Sequence, residues 1–373
     1  MQTIAEGWLA LQLSNSAFVV GVVSAAQSFP ILVLSLYGGV LADRTDKLRM
    51  VKIAQSLLLV QASVLWWFTA TKHLTIGWLI ALAAMNGLIS AFEIPARQSF
   101  VVELVGREDL VDAIALNSAG FNLARIVGPS IAAVVIAALG LQWCFAFNAF
   151  SYLAVLAGLF MIRVPRWQRP LDAGSPLEGL LEGFRYIRDT PLVNVLIRVV
   201  AVYSIFGLPF LAMMPVVARN VLHTNAAGYG FLLTSVGVGA LAGALSLAWI
   251  GQRVARGRIF TLSAYVFSVL LVAFSFATIR WLAALLLLLI GFAMLLNSSL
   301  ANGMLQSIVP DELRGRVMSG YVFVYVGLAP IGSFAAGAVA SWVGVEWAIG
   351  GGAVIMLLYA AWAFKRNPAL RNV

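Results

Sequence analysis

Apolar residues along this chain come in long runs separated by short polar breaks. A hydrocarbon core of ~30 Å needs about 20 such residues in a helix to cross it. The runs predict spans over Ala17–Ala42, Val51–Thr71, Thr75–Pro95, Val111–Leu139, Trp143–Arg163, Leu192–Arg219, Gly228–Ile250, Ile259–Thr278, Trp281–Ile308, Val317–Val343 and Glu346–Phe364. Ahead of them, Met1 to Leu13 is also apolar but reaches only ~20 Å as a helix. Because it opens in sequence typical of mid-helix, the expectation is a first span that lacks its front half. A longer upstream reading frame encoding an apolar lead would support that.

The longest polar connection runs from Pro165 to Pro191. After Pro165, Pro170 and Pro176, the residues Leu177, Leu180, Leu181, Phe184 and Ile187 recur at helical spacing, with Glu178, Glu182, Arg185 and Asp189 on other faces. This pattern predicts an amphipathic helix lying on the membrane or on the protein body, either tethering two halves or serving only as a solvated linker. Superposing Gly87 on Gly291 without gaps also places Glu108 on Glu312, Gly128 on Gly332, Gly140 on Gly344 and Trp143 on Trp347. Glycine and tryptophan coincidences of this kind point to an internal repeat. The expected organisation is an N-terminal helical half over 1–163, a linker over 164–191 and a C-terminal helical half over 192–373.

Composition makes lipid the solvent. Hydrophobic residues are 62% and charged residues 10% of the chain, with a mean hydropathy of +0.95. A soluble domain carries about 25% charge. The net charge of +9 does not imply nucleic acid, because the bases sit in short loops. Arg44, Lys47, Arg49 and Lys52, then Arg97 and Arg107, Arg163 to Arg188, Arg253 to Arg258, Arg314 and Arg316, and the tail with Lys365, Arg366 and Arg371 fall in alternate loops. The intervening loops hold Lys72, Arg219 and Arg280. That asymmetry predicts cytoplasmic basic loops, a cytoplasmic C-terminus and a place in the cell's inner (plasma) membrane. Cys144 has no disulfide partner, and His73 and His223 lie near helix ends, so no metal site and no cofactor are expected.

The break after the second segment reads Gly38-Gly39-Val40-Leu41-Ala42-Asp43-Arg44-Thr45-Asp46-Lys47-Leu48-Arg49. Its glycines allow two backbones to approach closely, and its charges make a turn between two spans. With two six-helix halves, this loop resembles that of the major facilitator superfamily. Gly39, Asp43, Arg44, Lys47 and Arg49 match the family pattern, and Asp46 stands where glycine is usual. Further stretches are similar to the drug and siderophore exporter branch, which includes enterobactin exporters and macrolide efflux proteins. They are Glu93-Ile94-Pro95-Ala96-Arg97-Gln98-Ser99, Phe121-Asn122-Leu123-Ala124-Arg125-Ile126-Val127-Gly128-Pro129 and Val309-Pro310-Asp311-Glu312-Leu313-Arg314-Gly315-Arg316. The Gly128-Pro129 pair resembles the antiporter motif of exporters, without its further glycines. The resemblance implies an all-α major facilitator fold. It also implies a cytoplasmic latch of Gly39, Asp43, Arg44, Lys47 and Arg49 with Glu93 and Arg97, in which Glu93 faces Arg49 or Lys47 and Asp43 faces the helix start near Gly315.

Ionisable groups inside spans are costly and are therefore candidates for function. Glu6 is the candidate proton carrier, because a carboxyl in a partly dry site favours its neutral form; alternatively it reaches interfacial water. Asn117, Phe121 and Arg125 share one helix face that could line a cavity, and Arg125 could meet an anion or a carboxylate. Asn297, with Ser298, Ser299 and Asn302 near it, could line the pathway or act as glue between helices. No cluster of His, Cys or carboxylates stands at catalytic spacing, so no enzyme is expected. The reading is a secondary active transporter exporting an amphipathic drug-like or siderophore-like small molecule in exchange for protons. Its partners are protons, that substrate and membrane lipid, not nucleic acid, and it works as a monomer. Uptake by the same fold, or a lipid flippase or membrane enzyme, are the alternatives.

Overall fold

The computed structural model describes residues 1–105, 110–162, 176–250 and 255–372, and gives Asp43, Asn117, Phe121 and Arg125 as backbone only. The described residues are helical wherever the apolar pattern predicts it. A short α1 (Gln2–Ser14) is followed by α2 (Ala17–Arg44), α3 (Lys47–Ala70), α4 (Ile76–Val105), α5 (Leu110–Ala138) and α6 (Gln142–Met161). The amphipathic α7 (Pro176–Asp189) precedes a span built from α8 (Pro191–Val202) and α9 (Pro209–Val216). Then come α10 (Ala226–Ile250), α11 (Arg256–Ser275), α12 (Arg280–Ile308), α13 (Asp311–Gly327), α14 (Ala329–Val343) and α15 (Val345–Arg366). Among the described residues, ten helices are long and apolar enough to cross a membrane.

Prolines explain where the observed spans depart from smooth helices. The span expected to stop at Pro95 continues to Val105. Proline has no N–H for the carbonyl four residues back, so Ala91 lacks its usual partner. Gly38 of α2 fills that place, so close that a Cβ there would collide with the Ala91 carbonyl. The seventh span carries π-helical turns at Tyr203–Gly207 and Val217–Val221 around Pro209 and Pro215. Wider turns of this kind absorb the bonds that proline removes. Ser204 within the first π turn donates to the Tyr325 carbonyl at 2.8 Å, tying this span to α13. Pro330 breaks the eleventh span at Leu328 in the same way.

Packing repeats along the chain. The most extensive pairings are α2 with α4 and α10 with α12, and α3 with α6 matches α11 with α15. The glycines aligned by the sequence repeat do the same job in both places. A Cβ at Gly87 would fall on the Gln27 carbonyl of α2, and one at Gly291 would fall on the Val236 carbonyl of α10. Only hydrogen at Cα lets the two backbones sit that close.

α7 docks on the protein body. Its Gly183 lies against the Arg316 backbone, Glu182 pairs with the Arg316 guanidinium, and Phe184 meets Phe323 edge-on at 5.9 Å. The preceding linker residues lie outside the described residues. Gly291→Leu should overpack the α10–α12 contact and cost roughly 1–3 kcal/mol. Gly303→Ala, where nothing lies within 4 Å of a new Cβ, should be neutral. Thermal unfolding followed by fluorescence-detected size exclusion in detergent would compare the two.

Candidate functional site

Two buried polar clusters occupy the interior of the first six helices. In the first, Gln2 and Glu6 lie one turn apart on α1 and face α3 and α6. Gln2 Nε2 donates to Glu6 Oε1 at 2.7 Å and to Gln61 Oε1 at 3.1 Å. Asn148 Nδ2 of α6 donates to Gln2 Oε1 at 2.5 Å, and Gln61 Nε2 donates to the Leu82 carbonyl of α4 at 3.1 Å. Glu6 is 1% exposed and Gln61 fully buried. Glu6 does not reach interfacial water, and its Oε2 has no partner among the described residues.

The second cluster sits further along α3 and α4. Glu93, 6% exposed, accepts on Oε1 from Gln55 Nε2 at 3.0 Å and from Arg97 Nε at 2.8 Å. It therefore points into the bundle, to Gln55 and Arg97, where the resemblance to the family implied a partner in the loop. The i,i+4 geometry on α4 brings Arg97 into reach, and burial beside Gln55 turns the carboxylate inward. Gln55 Oε1 is buried with no partner among the described residues.

The charged loop between α2 and α3 is a tight turn. Asp46 is the N-cap of α3, its Oδ1 accepting from the Arg49 N–H at 3.0 Å. Asp and Gly are both accepted at N-caps, which accounts for Asp46 where the family pattern has glycine. Gly38 makes the close backbone approach expected of the pair, whereas Gly39 faces open space. A cavity of about 830 Å³ adjoins this turn, bordered by Arg44, Asp46 and Arg49 and walled by Ile53, Leu88 and Phe92. The Asp43 side chain lies outside the described residues.

The remaining candidates fall in different settings. Asn117, Phe121 and Arg125 follow one another at four-residue steps along α5, and their side chains lie outside the described residues. Gly128 has open space around it, while the Pro129 carbonyl and Ala133 meet Gly230 of α10. Asn297 on α12 is 2% exposed with its Nδ2 unpartnered. Nearby, Tyr321 donates to the Ser298 carbonyl at 3.2 Å and stacks on Tyr325 at 5.7 Å.

At the end away from the basic loops, the first six helices close against the later ones. Gly21 of α2 meets the Ser333 carbonyl and Gly337 of α14, and Ser130 bonds Thr234 at 2.8 Å. Trp8 stacks on Tyr229 at 5.7 Å, and Arg219 donates to the Leu11 carbonyl at 3.1 Å. Arg280 in turn donates to the carbonyls of Leu222 and His223. Arg219 and Arg280 thus serve carbonyls at helix ends, where a cation is favoured.

Sequence reasoning considered the carboxamides Asn117, Asn297 and Asn302 but passed over Gln2, Gln55, Gln61 and Asn148, which stand singly in their apolar runs. Carboxamides inside apolar runs carry a similar cost, and that signal would have found them.

A bundle of this kind, with its recurring helix pairs, has the fold of the major facilitator transporters. The chain superposes on a bacterial homologue of the human lysosomal transporter Spinster, in an inward-facing and unoccupied conformation, with a TM-score of 0.73 over 99% of this chain and 94% of that one, at 13% identity. For a mutant of the nucleoside transporter NupG the TM-score is 0.72 at 11% identity, with the same coverage. The chain belongs to the transmembrane secretion effector family, whose model it matches over residues 1–371. It is 24% identical over 334 residues to the staphyloferrin A transporter of Staphylococcus aureus, covering 88% of this chain and 83% of that one. It is 25% identical over 361 residues to the multidrug efflux pump Tap of Mycolicibacterium fortuitum, covering 92% and 86%. Against the enterobactin exporter EntS of Shigella flexneri it is 25% identical over 306 residues, covering 82% and 72%. The protein is thus a multi-pass membrane transporter related to siderophore and drug exporters, and its family is one of transporters rather than enzymes.

The N-cap gives a direct check on the loop. Asp46→Ala should destabilise by about 1 kcal/mol and Asp46→Gly by only a few tenths, measured as thermal stability in detergent. Equal losses would show that the Asp46 side chain does not cap α3.

Proposed function

We propose that the protein exports an amphipathic drug-like or siderophore-like small molecule in exchange for protons, by alternating access. It would work in the plasma membrane with its basic loops and C-terminus in the cytoplasm. The observation that carries this reading is Glu6, a carboxyl buried at 1% exposure with one oxygen bonded to Gln2 and the other unpartnered. An intramembrane carboxyl held in a fixed orientation, with an oxygen free to take a proton, is suited to carry one across. Outward direction draws support from relatives that include an enterobactin exporter and a multidrug efflux pump.

In this cycle the loop Gly39, Asp43, Arg44, Lys47 and Arg49, with Glu93 and Arg97 behind it, latches the cytoplasmic end. Exposed ion pairs contribute only about 0–1 kcal/mol each, so such a latch can break on every turnover. Asn117, Phe121, Arg125 and Asn297 line the substrate path, and Gly128-Pro129 sits where α5 bends past α10.

Proteoliposomes with an imposed pH gradient test the coupling, with ethidium and a catecholate siderophore as probes. Wild type should move a probe outward when protons run inward down their gradient, and Glu6→Gln should lower that rate by roughly tenfold or more. Transport indifferent to the gradient would rule out proton coupling, and import would reverse the direction. Asp43→Asn should slow turnover while leaving membrane insertion and probe binding intact, measured by initial rates and equilibrium binding. An unchanged rate would remove the latch role.

A further inference from the structure

The Glu6 and Glu93 clusters lie at two levels of the same four-helix interior. Gln61 marks one level on α3 and Gln55 the other, six residues apart, which is about 9 Å along a helix. Each level ends in a buried acceptor without a donor, Glu6 Oε2 above and Gln55 Oε1 below. Buried acceptors of this kind are generally satisfied by internal water. The gap between them is not sealed by aliphatic packing alone. Tyr152 of α6 packs there with Met85 against Ala54, Leu58 and Ile89, one turn from Asn148. Ala54 adjoins Gln55 on α3, Leu58 stands between Gln55 and Gln61, and Ile89 is one turn before Glu93 on α4, so the Tyr152 ring spans the two levels.

We propose that the Tyr152 hydroxyl, with bridging water, joins Glu6 to Glu93 as one proton route through the first six helices. This rests on Glu6 being the proton carrier and adds the path by which its proton leaves. The transfer balances without a redox step. The proton on Glu6 passes to water, the Tyr152 hydroxyl gives its own proton onward and regains one from that water, and the Glu93 carboxylate receives it. The sum is Glu6 from acid to carboxylate and Glu93 from carboxylate to acid, with tyrosine and water unchanged. Arg97, whose side chain is 42% exposed while that of Glu93 is 8% exposed, leads from this station to solvent at the basic end.

Among the described residues, Glu6 is bonded by Gln2, and Glu93 by Gln55 and the one charged partner Arg97. From α3 the neighbours are the neutral amides Gln55 and Gln61. Lys52, on the same helix, is turned away over the Phe160 ring at 4.8 Å. Amides alone would not pass a proton readily, because each amide nitrogen in the upper cluster already donates to an acceptor. A hydroxyl both donates and accepts, which makes Tyr152 the residue able to bridge the levels.

Tyr152→Phe removes the hydroxyl and keeps the ring in its packing. Glu93→Gln keeps a partner for Gln55. Two assays in proteoliposomes with ethidium separate proton transfer from packing: transport driven by a pH gradient, and ethidium counterflow at equal pH, which needs no net proton movement. Both variants should slow gradient-driven transport by about tenfold, Tyr152→Phe should retain counterflow, and the wild-type slowing in D₂O should change in Tyr152→Phe. Wild-type gradient-driven rates in Tyr152→Phe, or equal losses in both assays, would overturn the route. If Glu93→Gln fails to insert, Tyr152→Phe decides alone. A wild type without gradient-driven transport would remove the coupling reading itself. A defective Glu6→Gln beside a normal Tyr152→Phe would remove the route and leave the coupling.

Discussion

A polar group inside this bundle must find its partner within the protein or in an internal water rather than in bulk solvent, and most of what distinguishes the structure follows from that. Backbone amides are satisfied by helices, and where proline breaks the pattern the structure supplies a neighbour or a wider turn. Side chains obey the same constraint. Glu6 is held by Gln2, which is held by Asn148 and leans on Gln61, so a single intramembrane acid organises residues from α1, α3 and α6. Glu93 does the same with Gln55 and Arg97. Among the described residues, the buried side-chain atoms left unpaired include one on Glu6 and one on Gln55.

Close packing is the second consequence. Lipid tails are as apolar as leucine, so helices associate through contact rather than through exclusion of water. Glycines at Gly38, Gly87, Gly239 and Gly291 bring backbone against backbone in α2–α4 and α10–α12. Those pairs make rigid bodies. Between the two groups of helices the contacts are of another kind: small residues at Gly21 and Gly337, a hydroxyl pair, an aromatic stack and an arginine on a helix end. Contacts of that size can open and re-form, which is what alternating access requires of a gate.

The loop between α2 and α3 illustrates how far a motif can be read. Its charges, spacing and turn were legible, because they are local. Asp46 looked like a departure from the family pattern and is an N-cap, a role that depends only on the residue three positions ahead. Gly38 and Gly39 were read together as contact residues, yet only Gly38 touches α4, because adjacent residues on a helix face different sides. Glu93 was read toward the loop from the resemblance, and the fold turns it toward Gln55, a residue thirty-eight positions away.

Solvent, spans and family could be read from the residues alone. Each of these depends on hydrophobic runs or on short-range motifs, which survive without knowledge of neighbours. Only the tertiary structure decided which polar residues share an interior. Gln2, Gln61 and Asn148 are far apart in the chain and individually unremarked, and they meet because the packing of α1, α3 and α6 against one another fixes the rotation of each helix about its axis. That rotation sets which side chains face one another. No period or composition encodes it.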